Sequence, residues 1–211
     1  MLNKTIVNEI KKYMDTNNTE ILNKLVTKLE EEILLDNAKK VSMTKKKQAK
    51  AVLKYLKSVK TDRFKGTFIG DNVQYFTNSY TAFALKDDDI IEGLAEVDND
   101  TVSMIKRLFQ EKPYNLDDIR VDYASLKTAV DLKEERVKLQ YDTNTCVVFN
   151  SKYLFDLATI LGYATDFIIE LNDKPQASYV TNDEGSVGLI LPIRIKDDTE
   201  LIKIRNVAKV G

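Results

Sequence analysis

Apolar positions recur along this chain in two periods, and the switches between them outline its elements. Residues 1–40 carry the helical period. Leu2, Ile6, Ile10, Tyr13 and Met14 share one stripe, and Ile21, Leu22, Leu25, Leu29, Ile33 and Leu34 share a second. Asp15-Thr16-Asn17-Asn18 breaks the pattern between them. Asn17, followed three residues later by Glu20, has the spacing of a capping box. The pattern predicts a helical hairpin over 1–40, an element without chemistry that serves as a packing appendage or an oligomerisation arm. A third helix is predicted over 44–60, with Ala49, Val52, Leu53 and Leu56 on its buried face.

The period then shortens. Strands are predicted over 63–69, 73–77 and 80–85, with a tight turn at Gly70-Asp71-Asn72. Asp87-Asp88-Asp89 ends this stretch. Val102, Ile105, Leu108 and Phe109 suggest a short helix, which Pro113 ends. A further helix is predicted over 123–132 and a strand over 137–141. The last part is the clearest. A strand over 145–149 leads through Asn150 or Ser151 as cap into a helix over 152–161, stopped by Gly162. Strands follow over 167–171, 177–181 and 187–195, with turns at Asn172-Asp173 and Asp183-Glu184-Gly185. This βαβββ order nearly repeats that of the helix over 44–60 and its three strands. The expectation is one α+β domain over 41–195 built of two βαβββ-like halves, with an insertion around 87–140 and a C-terminal tail over 196–211.

Composition narrows the chemistry. Apolar residues make up 43% of the 211 and charged residues 31%, the balance of a folded protein with a real core. No apolar run reaches the ~20 residues of a membrane span, and no apolar core follows the charge near the N-terminus as in a signal peptide, so a cytoplasmic location is expected. The absence of histidine excludes Ser-His-Asp and Cys-His catalysis and any histidine metal site. The single cysteine, Cys146, excludes an intramolecular disulfide and is expected in the core. There is no Gly-x-x-x-x-Gly-Lys or Gly-x-Gly-x-x-Gly loop for a nucleotide. No cofactor and no metal are expected.

Four features each carry two readings. Net charge is only −1, so any contact with nucleic acid needs a local patch. Lys46, Lys50, Lys54 and Lys57 form such a row, over about 16 Å of helix; the plainer reading is a solvated face. Asp87, Asp88, Asp89 and Glu92 read as a Mg²⁺ or Ca²⁺ site or as a solvated turn. Tyr55, Phe64, Tyr75, Phe76 and Tyr80 lie near lysines and read as base-stacking residues or as core. Leu189 and Leu191 read as pocket residues or as parts of a buried strand.

Three segments resemble the closing module of the bacterial DNA sliding clamp, the β subunit of DNA polymerase III. Phe149-Asn150-Ser151-Lys152-Tyr153-Leu154-Phe155-Asp156-Leu157 is similar to the Phe-Asn-x-x-Tyr-Leu-x-Asp-x-Leu opening of that family's last helix. Ile169-Glu170-Leu171-Asn172-Asp173, followed by Ala177-Ser178-Tyr179-Val180, resembles the next strand-turn-strand. Leu189-Ile190-Leu191-Pro192-Ile193-Arg194-Ile195 looks like the Met-Pro-Met-Arg-Leu end. Upstream, Phe76-Thr77-Asn78-Ser79-Tyr80-Thr81-Ala82 is similar to a clamp turn in which Asn78 replaces Asp, Ser79 replaces Gly and Thr81 replaces Arg.

The resemblance implies a non-enzymatic processivity or tethering factor. Its lysine-rich helix would bind duplex DNA non-specifically through Lys46, Lys50, Lys54 and Lys57. Thr77, Ala82, Leu189 and Leu191 match the family's pocket for a clamp-binding peptide of replication proteins. Clamp subunits hold three domains each, and two subunits close a ring of six. This chain has room for one, so a ring of single domains would need about six copies, and a homo-oligomer is implied. The alternative is a non-ring interaction module that keeps the clamp fold and binds replication proteins, with residues 1–40 as adaptor. A phage-encoded variant would fit such trimming.

Overall fold

Asparagine side chains start two of the helices. The computed structural model describes residues 10–13, 18–97, 99–110, 112–113, 116–140, 146–171, 176–195 and 201–209. Residues 10–13 are helical, and most of the first predicted helix lies outside the described residues. Asn18, not Asn17, caps the first long helix, α1 (Thr19–Val41); its side chain accepts from the Glu20 amide at 2.9 Å. A single extended residue, Ser42, turns the chain into α2 (Met43–Ser58) and caps it by accepting from the Lys45 amide at 2.9 Å. Strands β1 (Phe68–Gly70), β2 (Val73–Thr77) and β3 (Thr81–Lys86) follow. Asp71 and Asn72 join β1 to β2 with φ of 55° and 58°, the pair of positive angles that a two-residue hairpin turn needs.

The middle of the chain forms α3 (Asn99–Gln110), β4 (Asp117–Val121), α4 (Tyr123–Asp131) and β5 (Arg136–Gln140). Then come β6 (Cys146–Asn150) and α5 (Ser151–Ile160). Asn150 caps α5 by accepting from the Tyr153 amide at 3.0 Å, and Gly162, at φ 85°, stops it. Strands β7 (Phe167–Leu171), β8 (Ser178–Thr181), β9 (Val187–Ile190) and β10 (Arg205–Asn206) complete the described elements.

Seven strands make one antiparallel sheet in the order β1-β2-β3-β9-β8-β7-β4. The two halves meet at its centre: β1-β2-β3 follow α2, β7-β8-β9 follow α5, and β3 pairs with β9. Helices α2 and α5 pack together over one sheet face, flanked by α1 against α2 and α4 against α5. The core beneath them holds Phe76 and Phe83, stacked at 4.7 Å, with the Tyr55 ring edge-on to Phe83 at 5.2 Å. Gly188 of β9 lets α5 approach: a Cβ there would meet Leu157 Cγ at 3.0 Å and Leu161 Cδ1 at 3.1 Å. The opposite sheet face carries Ala82, Tyr179 and Leu189, against which Phe109 of α3 and Leu116 pack. A smaller sheet, β10-β5-β6, stands beside the first.

Several expectations need correction. The strand over 63–69 is a short 3₁₀ turn (Asp62–Phe64) and the three residues of β1. Between them, Thr67 exchanges backbone hydrogen bonds with Ala95 and Val97 instead of entering the ladder. The last strand stops at Ile190, since the Leu191 amide donates to the Tyr80 carbonyl, Pro192 has no amide, and the Ile193 amide reaches Val148 of β6. Strands β4 and β10 had no counterpart in the sequence pattern. Cys146 is half-buried at the end of β6, not in the core, and partial burial pushes its thiol up. The stretch read as a tail is fastened over 201–209. Arg205 pairs bidentately with Glu134 at 2.7 and 2.8 Å, Val207 is fully buried, and Lys209 pairs with Asp166. The turn at Asn172-Asp173 lies outside the described residues.

Candidate functional site

Cross-strand register assembles the site. Thr77 of β2 faces Ala82 of β3, Ala82 faces Leu189 of β9, and Leu189 faces Tyr179 of β8. Partners opposite one another share a sheet face, so these four form one row across four strands. The row is the floor of an apolar groove of about 410 Å³. Thr77, Ala82, Leu189 and Leu191, the residues matched to the peptide pocket, all line it. Ala82 and Leu189 are 1% and 4% exposed, while Leu191 at 42% and Tyr80 at 58% stand at its edge.

The second wall comes from α3, through Met104 and Leu108, with Pro113 beyond them. Sequence reasoning missed this wall. The helical spacing around Leu108 was visible, but nothing in it says which sheet face a helix will cover. Next to Pro113, the Lys112 ammonium pairs with Glu170 at 2.7 Å and lies 5.4 Å from the centre of the Tyr179 ring.

The turn over 77–81 is tightly tied. The Asn78 side chain accepts from the amides of Tyr80 and Thr81 at 2.9 and 2.8 Å, while Ser79 takes φ 78°. The Thr81 carbonyl accepts from the Thr77 hydroxyl at 2.7 Å, the Asn78 amide at 3.1 Å and the Tyr55 hydroxyl at 3.0 Å. Burial pushes the Tyr55 phenol far above its ordinary range. The Tyr80 ring stacks on Tyr153 of α5 at 5.6 Å.

The lysine row lies away from the groove, on α2. Lys50, Lys54 and Lys57 are exposed and Lys46 is half-buried. Lys57 is paired with Glu31 of α1 at 2.6 Å, so the neighbouring helix neutralises one end of the row. Lys152 on α5 pairs with Asp156. Before α2's lysine row, Lys45 donates to the Asp88 carbonyl; partial burial lowers its pKa, against the pull of Asp89, Asp88 and Glu92.

The acidic run is occupied by structure. Asp89 is buried and accepts from the side-chain amides of Gln48 at 3.0 Å and Asn182 at 2.6 Å. Among the described residues no group of three His, Cys, Asp or Glu is placed to hold a metal ion. Of the aromatics weighed for base stacking, Tyr55, Phe64 and Phe76 are buried, Tyr75 is half-buried and Tyr80 is exposed. No helix among the described residues is long and apolar enough to cross a membrane.

No protein-family model and no curated protein matches the sequence. Solved structures do. The chain is similar to the Bartonella birtlesii DnaN sliding clamp (DNA polymerase III subunit beta) bound to griselimycin, at 13% identity and TM-score 0.42, over 66% of this chain and 62% of that one. It is similar to the Borrelia burgdorferi DNA polymerase III subunit beta in complex with a natural product, at 12% identity and TM-score 0.42, over 64% and 56%. The Helicobacter pylori beta clamp bound to a DNA ligase peptide matches at 14% identity and TM-score 0.34, over 70% and 45%. The chain therefore spans less than two thirds of the length of each.

Proposed function

We propose that this protein is a non-enzymatic, sliding-clamp-like tethering factor. Its groove captures a short apolar peptide of a replication protein, and the lysine face of α2 lies against duplex DNA. The observation that carries this reading is the row Thr77-Ala82-Leu189-Tyr179, an apolar floor edged by Leu191; Thr77, Ala82, Leu189 and Leu191 are the positions the sequence resemblance assigns to the family's peptide pocket. An apolar concavity with a few polar groups at its edge is the usual form of a small docking site. The DNA contact would be electrostatic and blind to sequence, through phosphates.

The test uses a fluorescein-labelled copy of the Helicobacter pylori DNA ligase peptide and polarisation. Binding that is lost in Leu191→Glu supports the groove. No binding up to about 1 mM, or binding indifferent to Leu191→Glu, counts against it. Light scattering of the full chain tests the oligomer: a strict monomer that also fails to bind duplex DNA at low salt removes the clamp reading.

A second reading is favoured by α1. It packs along α2 and neutralises Lys57, and it carries Val26 and Ile33 at 45% and 60% exposure. In this reading α1 is an adaptor face, and the protein binds a replication partner without encircling DNA. Partner binding lost in Val26→Glu with Ile33→Glu, in a protein that still folds, would favour it.

A further inference from the structure

The phenol of Tyr55 does more than fill the core. Its ring packs edge-on against Phe76 at 5.6 Å and Phe83 at 5.2 Å, contacts that phenylalanine would make equally well. Burying a hydroxyl costs free energy unless it is hydrogen-bonded. Here both bonds go to one residue of the sheet beneath α2: the hydroxyl donates to the Thr81 carbonyl at 3.0 Å and lies 2.7 Å from Thr81 Oγ1. Thr81 is the residue on which the 77–81 turn closes. Its amide and hydroxyl are held by the Asn78 side chain at 2.8 and 3.1 Å. The next residue back, Tyr80, has its carbonyl fixed by the Leu191 amide at 2.9 Å. One chain of bonds thus runs from α2, through Thr81, to both exposed residues at the groove's edge.

We propose that Tyr55 is a positioning residue for the groove, holding the 77–81 turn so that Tyr80 and Leu191 stand where an incoming peptide meets them. This rests on the reading of the groove as a peptide site. The Thr81 carbonyl keeps two other donors if the hydroxyl is removed, the Thr77 hydroxyl at 2.7 Å and the Asn78 amide at 3.1 Å, and Thr81 Oγ1 keeps Asn78. The substitution Tyr55→Phe therefore leaves no buried polar group without a partner, and the fold survives it. What it loses is the tie to α2.

The experiment is a double-mutant cycle with the labelled ligase peptide on wild type, Tyr55→Phe, Tyr80→Ala and the double variant. Tyr55→Phe should weaken binding about tenfold with a thermal midpoint lower by no more than about 5 °C. The double variant should lose clearly less than the sum of the two single losses, because Tyr55 acts in part through the edge that Tyr80 forms. Equal affinity of wild type and Tyr55→Phe, or losses that simply add, would overturn the inference while leaving the groove reading in place. A collapse of the thermal midpoint would assign the hydroxyl to the core and overturn it as well. A wild type that does not bind the peptide removes the groove reading, and this inference with it.

Discussion

Asp89 and Gln48 meet at 3.0 Å inside the protein, and the same carboxylate takes a second amide from Asn182 at 2.6 Å. Gln48 belongs to the first half and Asn182 to the β8–β9 turn of the second. Gln48 Nε2 also donates to Ile160 and Asn182 Nδ2 to Leu161, both at the end of α5. One carboxylate therefore pins the early turns of α2, through Gln48, to the end of α5 and the β8–β9 turn.

Removing that carboxylate should be costly. Asp89→Ala leaves the buried Gln48 amide and the half-buried Asn182 amide each short of one acceptor, and a loss of about 1–3 kcal/mol is expected. Urea denaturation checks it. Asp89→Asn keeps one acceptor oxygen and should lose less. Equal stability of all three proteins would refute the pinning role.

Gly188→Ala should destabilise by overpacking. Its Cβ would meet Leu157 and Leu161 at 3.0 and 3.1 Å, so these packed side chains must give by a few tenths of an ångström. The expected cost is about 1–3 kcal/mol, again read from urea denaturation. Pairing it with Leu157→Ala should relieve part of the clash, and simple addition of the two losses would contradict the packing described here.

The fastening of residues 201–209 should be acid-labile. Lys209, the Tyr123 amide and Arg120 hold the Asp166 carboxyl below its ordinary range, and Arg205 does the same to Glu134. A depressed folded pKa contributes stability that is full above the unfolded value and lost as pH falls through the folded one. The segment should therefore stay docked at neutral pH and loosen below about pH 4. Hydrogen exchange of the Val207 amide, which donates to the Lys138 carbonyl at 2.9 Å, is the readout. Protection unchanged between pH 6 and a pH near 3 would be the contrary result.

The lysine face makes the sharpest functional prediction. Reversing Lys46, Lys50, Lys54 and Lys57 to Glu should abolish duplex binding without unfolding. If all four contact phosphates, the wild-type salt dependence should have a log–log slope of about −3.6. Glu31→Gln releases Lys57 and should raise duplex affinity about threefold at low salt. Duplex affinity indifferent to both changes would remove α2 from any DNA contact.

Much of this was legible before the fold was seen, and the exceptions have physical causes. Strands β2 and β7 were readable to the residue because turn-forming residues bound each run, Asn72 and Asn78 around β2, Asp166 and Asn172 around β7. Strand β4 was not. It is an edge strand in which only Ile119 and Val121 turn inward, while Asp117 and Asp118 face water. The groove's floor was legible through the likeness of residues 76–82 and 189–195 to clamp segments. Its α3 wall was not, because an amphipathic helix declares that it has a buried face but not what will bury it. The lysine row was visible in the spacing alone. That Glu31 would neutralise one end of it depended on how α1 folds back at Ser42.

The pairing of β3 with β9 has a consequence for how the protein comes into being. Thr81 meets Ile190, and Ala82 meets Leu189, pairs that lie far apart in the sequence. Contacts so distant in sequence form late, because the loop between them must be closed before the pairing is rewarded. The groove's floor spans that seam. A ribosome-bound or partly folded chain thus has no groove to offer, and a partner that docks there meets only finished molecules.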